Sequence, residues 1–161
     1  MLGNRRINTD TSSVDFERLV RRIKDDEGFA QFVYEDGFRR KQMSIGYGTK
    51  AKDGESKISE EEADHRCREY LLICLFDIVN NGQVFRACEN DQVRLEAFIN
   101  MRYNLGARGF LNFRKMLAAL PNWEITAKEM VDSLWHVQVP ARSGRLAWEM
   151  ITGKYWYNWR E

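Results

Sequence analysis

The sequence predicts an α+β fold that is mostly helical, and three observations carry this expectation. Phe16, Leu19, Val20 and Ile23 recur at helical spacing and give way at Gly28. The stretch from Phe29 to Tyr47 changes to aromatic and β-branched residues on either side of an Asp36-Gly37 turn signal, the pattern of a hairpin. From Ser59 onward the apolar residues return to helical period and keep it nearly to the end of the chain.

Taken in order, residues 1 to 12 form a polar arm, and the first helix is expected from Val14 to about Glu27. Phe29, Phe32, Val33 and Tyr34 begin the hairpin, Gln42 to Tyr47 return it, and Ser56-Lys57-Ile58 offers a short third strand after the Asp53-Gly54 turn. Ser59 then opens the clearest helix, because Glu62 three residues later completes a capping box. Ala63, Cys67, Tyr70, Leu71, Cys74, Leu75 and Ile78 form its apolar stripe, and Asn80-Asn81-Gly82 ends it. About 20 residues of helix span roughly 30 Å. Asn90-Asp91 caps the next helix, with Val93, Ala97, Phe98, Met101 and Leu105 as its apolar face and Gly106 as its stop. Three more are expected: about Phe110 to Leu120, stopped by Pro121; Asn122 to Trp135; and a short one from Pro140, a residue favoured at the first helical position.

Composition narrows the function. At 161 residues and 43% apolar, the chain is long enough for a substantial core. Twenty-five basic against 24 acidic residues leave a net charge of +1, which disfavours a nucleic-acid partner. Arg39-Arg40-Lys41 in the proposed turn is a local basic patch, readable either as a contact for acidic wall peptides or as a solvated hairpin tip. Cys67 and Cys74 are seven residues apart on one helical pattern, about 10 Å along the axis, so they are not expected to bridge each other. No cysteine or histidine spacing suggests a metal site, and no cofactor is expected. Residues 1 to 15 hold no apolar signal-like core, and the run from Tyr70 to Phe76 is far shorter than the roughly 20 residues a membrane span needs, so no export signal or membrane insertion is expected.

The chemistry concentrates between Lys24 and Thr49. Asp25, Asp26 and Glu27 stand just before the Gly28 helix stop, where the carbonyl end of the helix already carries partial negative charge. Asp25 and Asp26 lie four residues after Arg21 and Arg22, the spacing of surface ion pairs. Glu27 has only Ile23 at that spacing, and a carboxyl without a local counter-charge suits a general acid. Asp36 falls at the hairpin corner and Ser44 on the returning strand, so both can face the helix end that carries Glu27. Gly46 and Gly48 would let a bulky ligand approach the backbone. Two carboxyls on one groove are the machinery of glycosidic bond hydrolysis.

These residues resemble the phage-type lysozymes, glycoside hydrolase family 24, which includes T-even phage lysozyme and many endolysins. The family pattern sets a Glu before Gly, then eight intervening residues, an Asp, five intervening residues and a Thr that opens an Ile-Gly-x-Gly run. Glu27 and Asp36 keep the first spacing. The second is seven residues instead of five and ends on Ser44 in place of Thr, which implies a hairpin turn lengthened by two residues within 37–42. Thr49 stands where many relatives have His. The run Ala97 to Gly106, containing Ile99-Asn100-Met101, resembles the family's central buried helix, and Tyr103 and Asn104 at its end are then expected to bind substrate; a helix-capping Asn before glycine is the other reading of Asn104. Trp135, Pro140-Ala141-Arg142 and Ile151-Thr152-Gly153 match the C-terminal signature, and the resemblance implies that Arg142 packs against Glu27. The likeness covers Phe16 to Trp156.

The resemblance implies a single lysozyme-like domain over residues 13–161. Its small α+β lobe would span about 28–60, a connecting helix about 59–80 and a helical lobe about 83–161, with helix 14–27 packed on the last. It implies a peptidoglycan muramidase cleaving the β-1,4 bond between N-acetylmuramic acid and N-acetylglucosamine with inversion. Glu27 would be the general acid, and Asp36 and Ser44 would hold the attacking water. A monomeric phage endolysin, made in the host cytoplasm and reaching the wall through a holin or similar pore, is the setting it suggests. A lytic transglycosylase and a non-catalytic wall-binding or virion module are the rival readings. Tyr155, Trp156, Tyr157 and Trp159 are read as packing that anchors the C-terminus onto the first helix, with sugar stacking as the lesser reading.

Overall fold

The computed structural model describes residues 14–36 and 42–156. The polar arm, the Arg39-Arg40-Lys41 patch, the lengthened turn, Tyr157 and Trp159 lie outside the described residues. The fold is α+β and mostly helical, with one three-stranded antiparallel sheet. The elements are α1 (Phe16–Glu27), β1 (Ala30–Asp36), β2 (Gln42–Gly46), β3 (Thr49–Lys50), α2 (Glu60–Asn80), α3 (Gly82–Ala87), α4 (Gln92–Leu111), α5 (Arg114–Ala119), α6 (Trp123–Val131), α7 (Leu134–Gln138) and α8 (Pro140–Thr152).

Local chemistry sets most boundaries. The Asp15 side chain accepts from the Arg18 N–H at 2.9 Å to start α1, and Gly28, at φ 68°, ends it in a conformation that favours glycine. Ser59 accepts from the Glu62 N–H at the start of α2. Strand β1 pairs with β2 through Tyr34 opposite Ser44 and Asp36 opposite Gln42, with an irregularity between Ala30 and Tyr34. Since side chains alternate across a sheet and paired residues share a face, Tyr34, Asp36, Ser44 and Gln42 belong to the same side.

Several expected elements differ. The third strand is Thr49–Lys50, formed directly after the Tyr47-Gly48 turn. Residues 56–58 meet the opposite edge of β1 through one bridge, Phe32 to Lys57, because only the Val33 and Ile58 amides find carbonyl partners there. A six-residue helix, α3, fills the expected gap after Gly82, capped by Asn81 and seated by the fully buried Val84. Helix α4 does not stop at Gly106. That residue, at φ 74°, kinks the helix, which resumes to Leu111 and buries Phe110 against Phe98. The expected helix from Phe110 to Leu120 is therefore the shorter α5. The expected Asn122 to Trp135 helix is interrupted at Ser133, whose side chain caps α7. The helix from Pro140 is thirteen residues long, carried on by buried Leu146, Ala147 and Met150 and closed by Gly153.

The core centres on α4, where every residue from Leu95 to Tyr103 is buried, facing α2 and α8. The charged residues of this stretch are satisfied internally. Glu96 accepts from Arg18 at 2.6 Å and from Gln92 at 3.1 Å, and Arg102 donates to Asp77 at 2.5 Å and to Tyr70 Oη at 3.0 Å. Arg22 therefore does not pair with Asp26. It turns inward, is 4% exposed, and donates to Glu149 at 2.6 Å and to Glu96 at 3.5 Å. Tyr155 covers this network, accepting from Arg18 at 2.7 Å. Cys67, Cys74 and Cys88 are free and buried, and burial pushes the thiols of Cys74 and Cys88 up to about 12. Among the described residues no helix is long and apolar enough to cross a membrane.

Candidate active site

The end of α1, the outer half of β1 and the start of α8 border an open cavity of about 460 Å³. Glu27 and Asp36 both line it, with Asp25, Asp26, Tyr34, Asn104, Arg142 and Arg145. Gly28 stops α1 just where Glu27 can face the hairpin, and the two-residue period of β1 places Asp36 on the same sheet face as Tyr34.

The two carboxylates sit in unlike surroundings. Glu27 is half-buried, and its Oε1 accepts from Arg142 Nη1 at 2.5 Å. Arg142 is 6% exposed and is fixed from behind by Asn100, whose Oδ1 accepts from its Nε at 2.8 Å. The Asn100 amide nitrogen in turn donates to Asp26 at 2.9 Å, and Asp26 is paired with Arg145. A chain of charged and amide groups thus joins α1, α4 and α8 behind Glu27. Asp36, by contrast, is exposed, and its carboxylate has no hydrogen bond or ion pair among the described residues.

The other expected site residues separate into wall and support. Asn104 is in the wall, and its Oδ1 accepts from the buried Trp135 Nε1 at 2.7 Å, which turns its amide N–H groups away from the indole. Ser44 is not a lining residue. It is fully buried on the face shared with Tyr34, and its Oγ has no protein partner among the described residues. Tyr103 does not reach the cavity either; it is 4% exposed and spends its hydroxyl on the Tyr47 carbonyl at 2.7 Å, while burial holds the phenol far above the ordinary tyrosine value. Gly46 and Gly48 make room for the protein itself, and neither lines the cavity. A Cβ on Gly46 would stand 2.9 Å from Ala63 Cβ, and one on Gly48 would stand 2.7 Å from Glu27 Oε2. The glycines admit α2 and the Glu27 carboxylate, and so fix the position of the latter.

"Probable T4-type lysozyme 1" of Dictyostelium discoideum is 30% identical to this chain over 116 residues, which cover 70% of the chain and 68% of that protein. The chain belongs to the T4-type lysozyme family. "Probable T4-type lysozyme 2" of the same organism is 28% identical over 102 residues, covering 62% of the chain and 60% of that protein. No protein-family model matches the chain.

Several residues in or behind the cavity wall of this T4-type lysozyme family member were not singled out as site residues from the sequence. Asn100, a polar residue between Ile99 and Met101 in an apolar helix, was the available signal for a buried polar link. Asp26 and Arg145 are joined over 119 positions, a pairing that local spacing does not reveal. Tyr34 was visible only as a strand residue. Among the described residues no group of three or more His, Cys, Asp or Glu could hold a metal ion.

Proposed function

We propose that this protein is a peptidoglycan muramidase that hydrolyses the β-1,4 bond between N-acetylmuramic acid and N-acetylglucosamine. The observation that carries the reading is the placement of Glu27 and Asp36 on one cavity, with Glu27 gripped by Arg142 and Asp36 left open to solvent. Two carboxyls on one cavity can divide the acid and base roles of glycoside hydrolysis.

In this mechanism Arg142 holds Glu27 Oε1, and Oε2, seated over Gly48, carries the proton to the leaving oxygen. Asp36 receives a proton from the attacking water on the opposite side of the sugar and offsets the positive charge that develops on the ring. Ser44, fully buried and outside the cavity lining, supports that water only from behind, through the sheet face it shares with Tyr34 and Asp36. Asn104 offers its amide hydrogens to the substrate. Single displacement by water inverts the anomeric centre. The biological setting is a phage endolysin, made in the bacterial cytoplasm and acting on the wall once a holin or similar pore opens the membrane.

Turbidity of chloroform-permeabilised Gram-negative cells tests the reading. The parent protein clears them, and Glu27→Gln and Asp36→Asn each clear them at least about 100-fold more slowly, the scale of a lost acid–base group. Full clearing by Asp36→Asn with loss in Glu27→Gln would instead identify a lytic transglycosylase. Equal clearing by all three, or by none, would remove the enzymatic assignment.

A further inference from the structure

Tyr34 differs from the other tyrosines of the described residues. Tyr47 donates to Glu60 at 3.0 Å, Tyr70 accepts from Arg102 at 3.0 Å, Tyr103 donates to the Tyr47 carbonyl and Tyr155 accepts from Arg18. The ring of each also meets another ring or a cation. The Tyr34 side chain has no hydrogen bond, ring contact or cation contact among the described residues, yet it is held in a sheet and lines the cavity. It is 37% exposed, so part of the side chain is accessible where it lines the cavity.

Its position relative to the carboxyls is set by the strand. Tyr34 lies two residues before Asp36 and on the same face, so their Cα atoms are about 7 Å apart along β1. Burial, then the nearby charges of Asp36 and Glu27, hold its phenol above the ordinary tyrosine value. The hydroxyl is accordingly a hydrogen-bond donor throughout the working pH range, within the field of both carboxylates. A rigid ring with a wet polar tip, unpartnered in a cavity, is suited to a ligand that has an apolar face and oxygen acceptors on its rim. A pyranose sugar has both.

We propose that Tyr34 is a substrate-positioning residue whose ring takes the apolar face of one sugar unit and whose hydroxyl donates to an oxygen of that unit, beside the bond held between Glu27 and Asp36. The proposal rests on the glycan-cleaving reading given above and adds to it the residue that orients the sugar.

The test uses soluble peptidoglycan strands stripped of peptide by an amidase, with binding measured by calorimetry in the Glu27→Gln background and turnover measured in the parent background. Tyr34→Phe keeps the ring and removes one hydrogen bond, so Kd and KM are expected to rise roughly 3- to 10-fold with kcat within about threefold. Tyr34→Ala removes the ring as well, and is expected to raise both constants by more than about 10-fold while the thermal midpoint stays near that of Tyr34→Phe. Binding within about twofold of the Glu27→Gln parent for both variants would overturn the proposal. If the parent protein fails to cleave the strands, the enzymatic reading falls, and the calorimetric arm still decides the role of Tyr34: weakened binding supports it and unchanged binding overturns it.

Discussion

Arg142 Nη1 lies 2.5 Å from Glu27 Oε1, which ties the first turn of α8 to the last residue of α1 across 115 positions of sequence. Both groups are largely withdrawn from water, and Arg142 has further partners in Asn100 and Asp26. Removing one member of such a pair strands the others. Arg142→Ala is expected to cost roughly 3 kcal/mol of stability, the scale for breaking a buried ion pair. It should also lower lytic activity by more than the unfolded fraction explains. Urea unfolding and turbidity clearing, measured at one temperature where the variant is folded, check the two effects separately.

Gly48 positions the same carboxylate from the other side. Its φ is 72°, and a Cβ at this position would come within 2.7 Å of Glu27 Oε2, so Gly48→Ala must displace the carboxylate or the turn. An activity loss of at least about 10-fold is expected, with a stability loss of about 1–2 kcal/mol from the strained backbone. Gly46→Ala instead meets Ala63 at 2.9 Å, so its effect should fall on the packing of the sheet against α2 and be read chiefly in the thermal midpoint.

Ser44 separates stability from function in the opposite sense. Its hydroxyl is fully buried and has no protein partner among the described residues, so Ser44→Ala removes an unsatisfied polar group and should leave stability unchanged or raise it by up to about 1 kcal/mol. If the hydroxyl holds the attacking water, the same change lowers kcat. A variant as stable as the parent and as active would show that the hydroxyl has no part in the reaction.

Much of the fold was legible because its boundaries are chemical and local. The Ser59 and Glu62 capping box, the Gly28 stop and the Asp36-Gly37 turn signal located α2, the end of α1 and the end of β1. Helix α3 was missed because six residues with one buried side chain, Val84, give no periodic signal. The break at Ser133 was missed because Trp135 continued the apolar pattern on a separate helix that the Ser133 side chain caps. Glu27 and Asp36 could be placed on one groove from spacing alone, whereas the actual partners of Asp26 and Arg22 could not. Those partners, Arg145 and Glu149, are distant in sequence, and the i, i+4 rule assumes a solvent-facing helix side that Arg22 does not occupy. The glycines of the Ile-Gly-x-Gly run were recognised as sites of close approach, but sequence could not tell that the approaching groups are Ala63 and Glu27.

Acid should weaken the small sheet through Glu55. Arg66 grips this carboxylate at 2.7 and 2.9 Å and the Lys52 N–H adds a third bond, which together hold its pKa at about 2 against an ordinary 4.5. A depressed carboxylate pKa contributes stability that is present in full above the unfolded value and is lost as pH falls through the folded one. The window is therefore about pH 4.5 down to about 2. Thermal midpoints at about pH 6 and about pH 3 are expected to fall further apart in the parent than in Glu55→Gln, which has no carboxylate to protonate there.

The most direct measurement is the release of reducing N-acetylmuramic acid ends from purified peptidoglycan, with the anomer formed first read by NMR. The parent should generate these ends as the inverted anomer, and Glu27→Gln, folded to the same thermal midpoint within a few degrees, should generate them at least about 100-fold more slowly. Release at equal rates by the two proteins, or none by the parent, would contradict the assignment of Glu27 and its cavity to glycan cleavage.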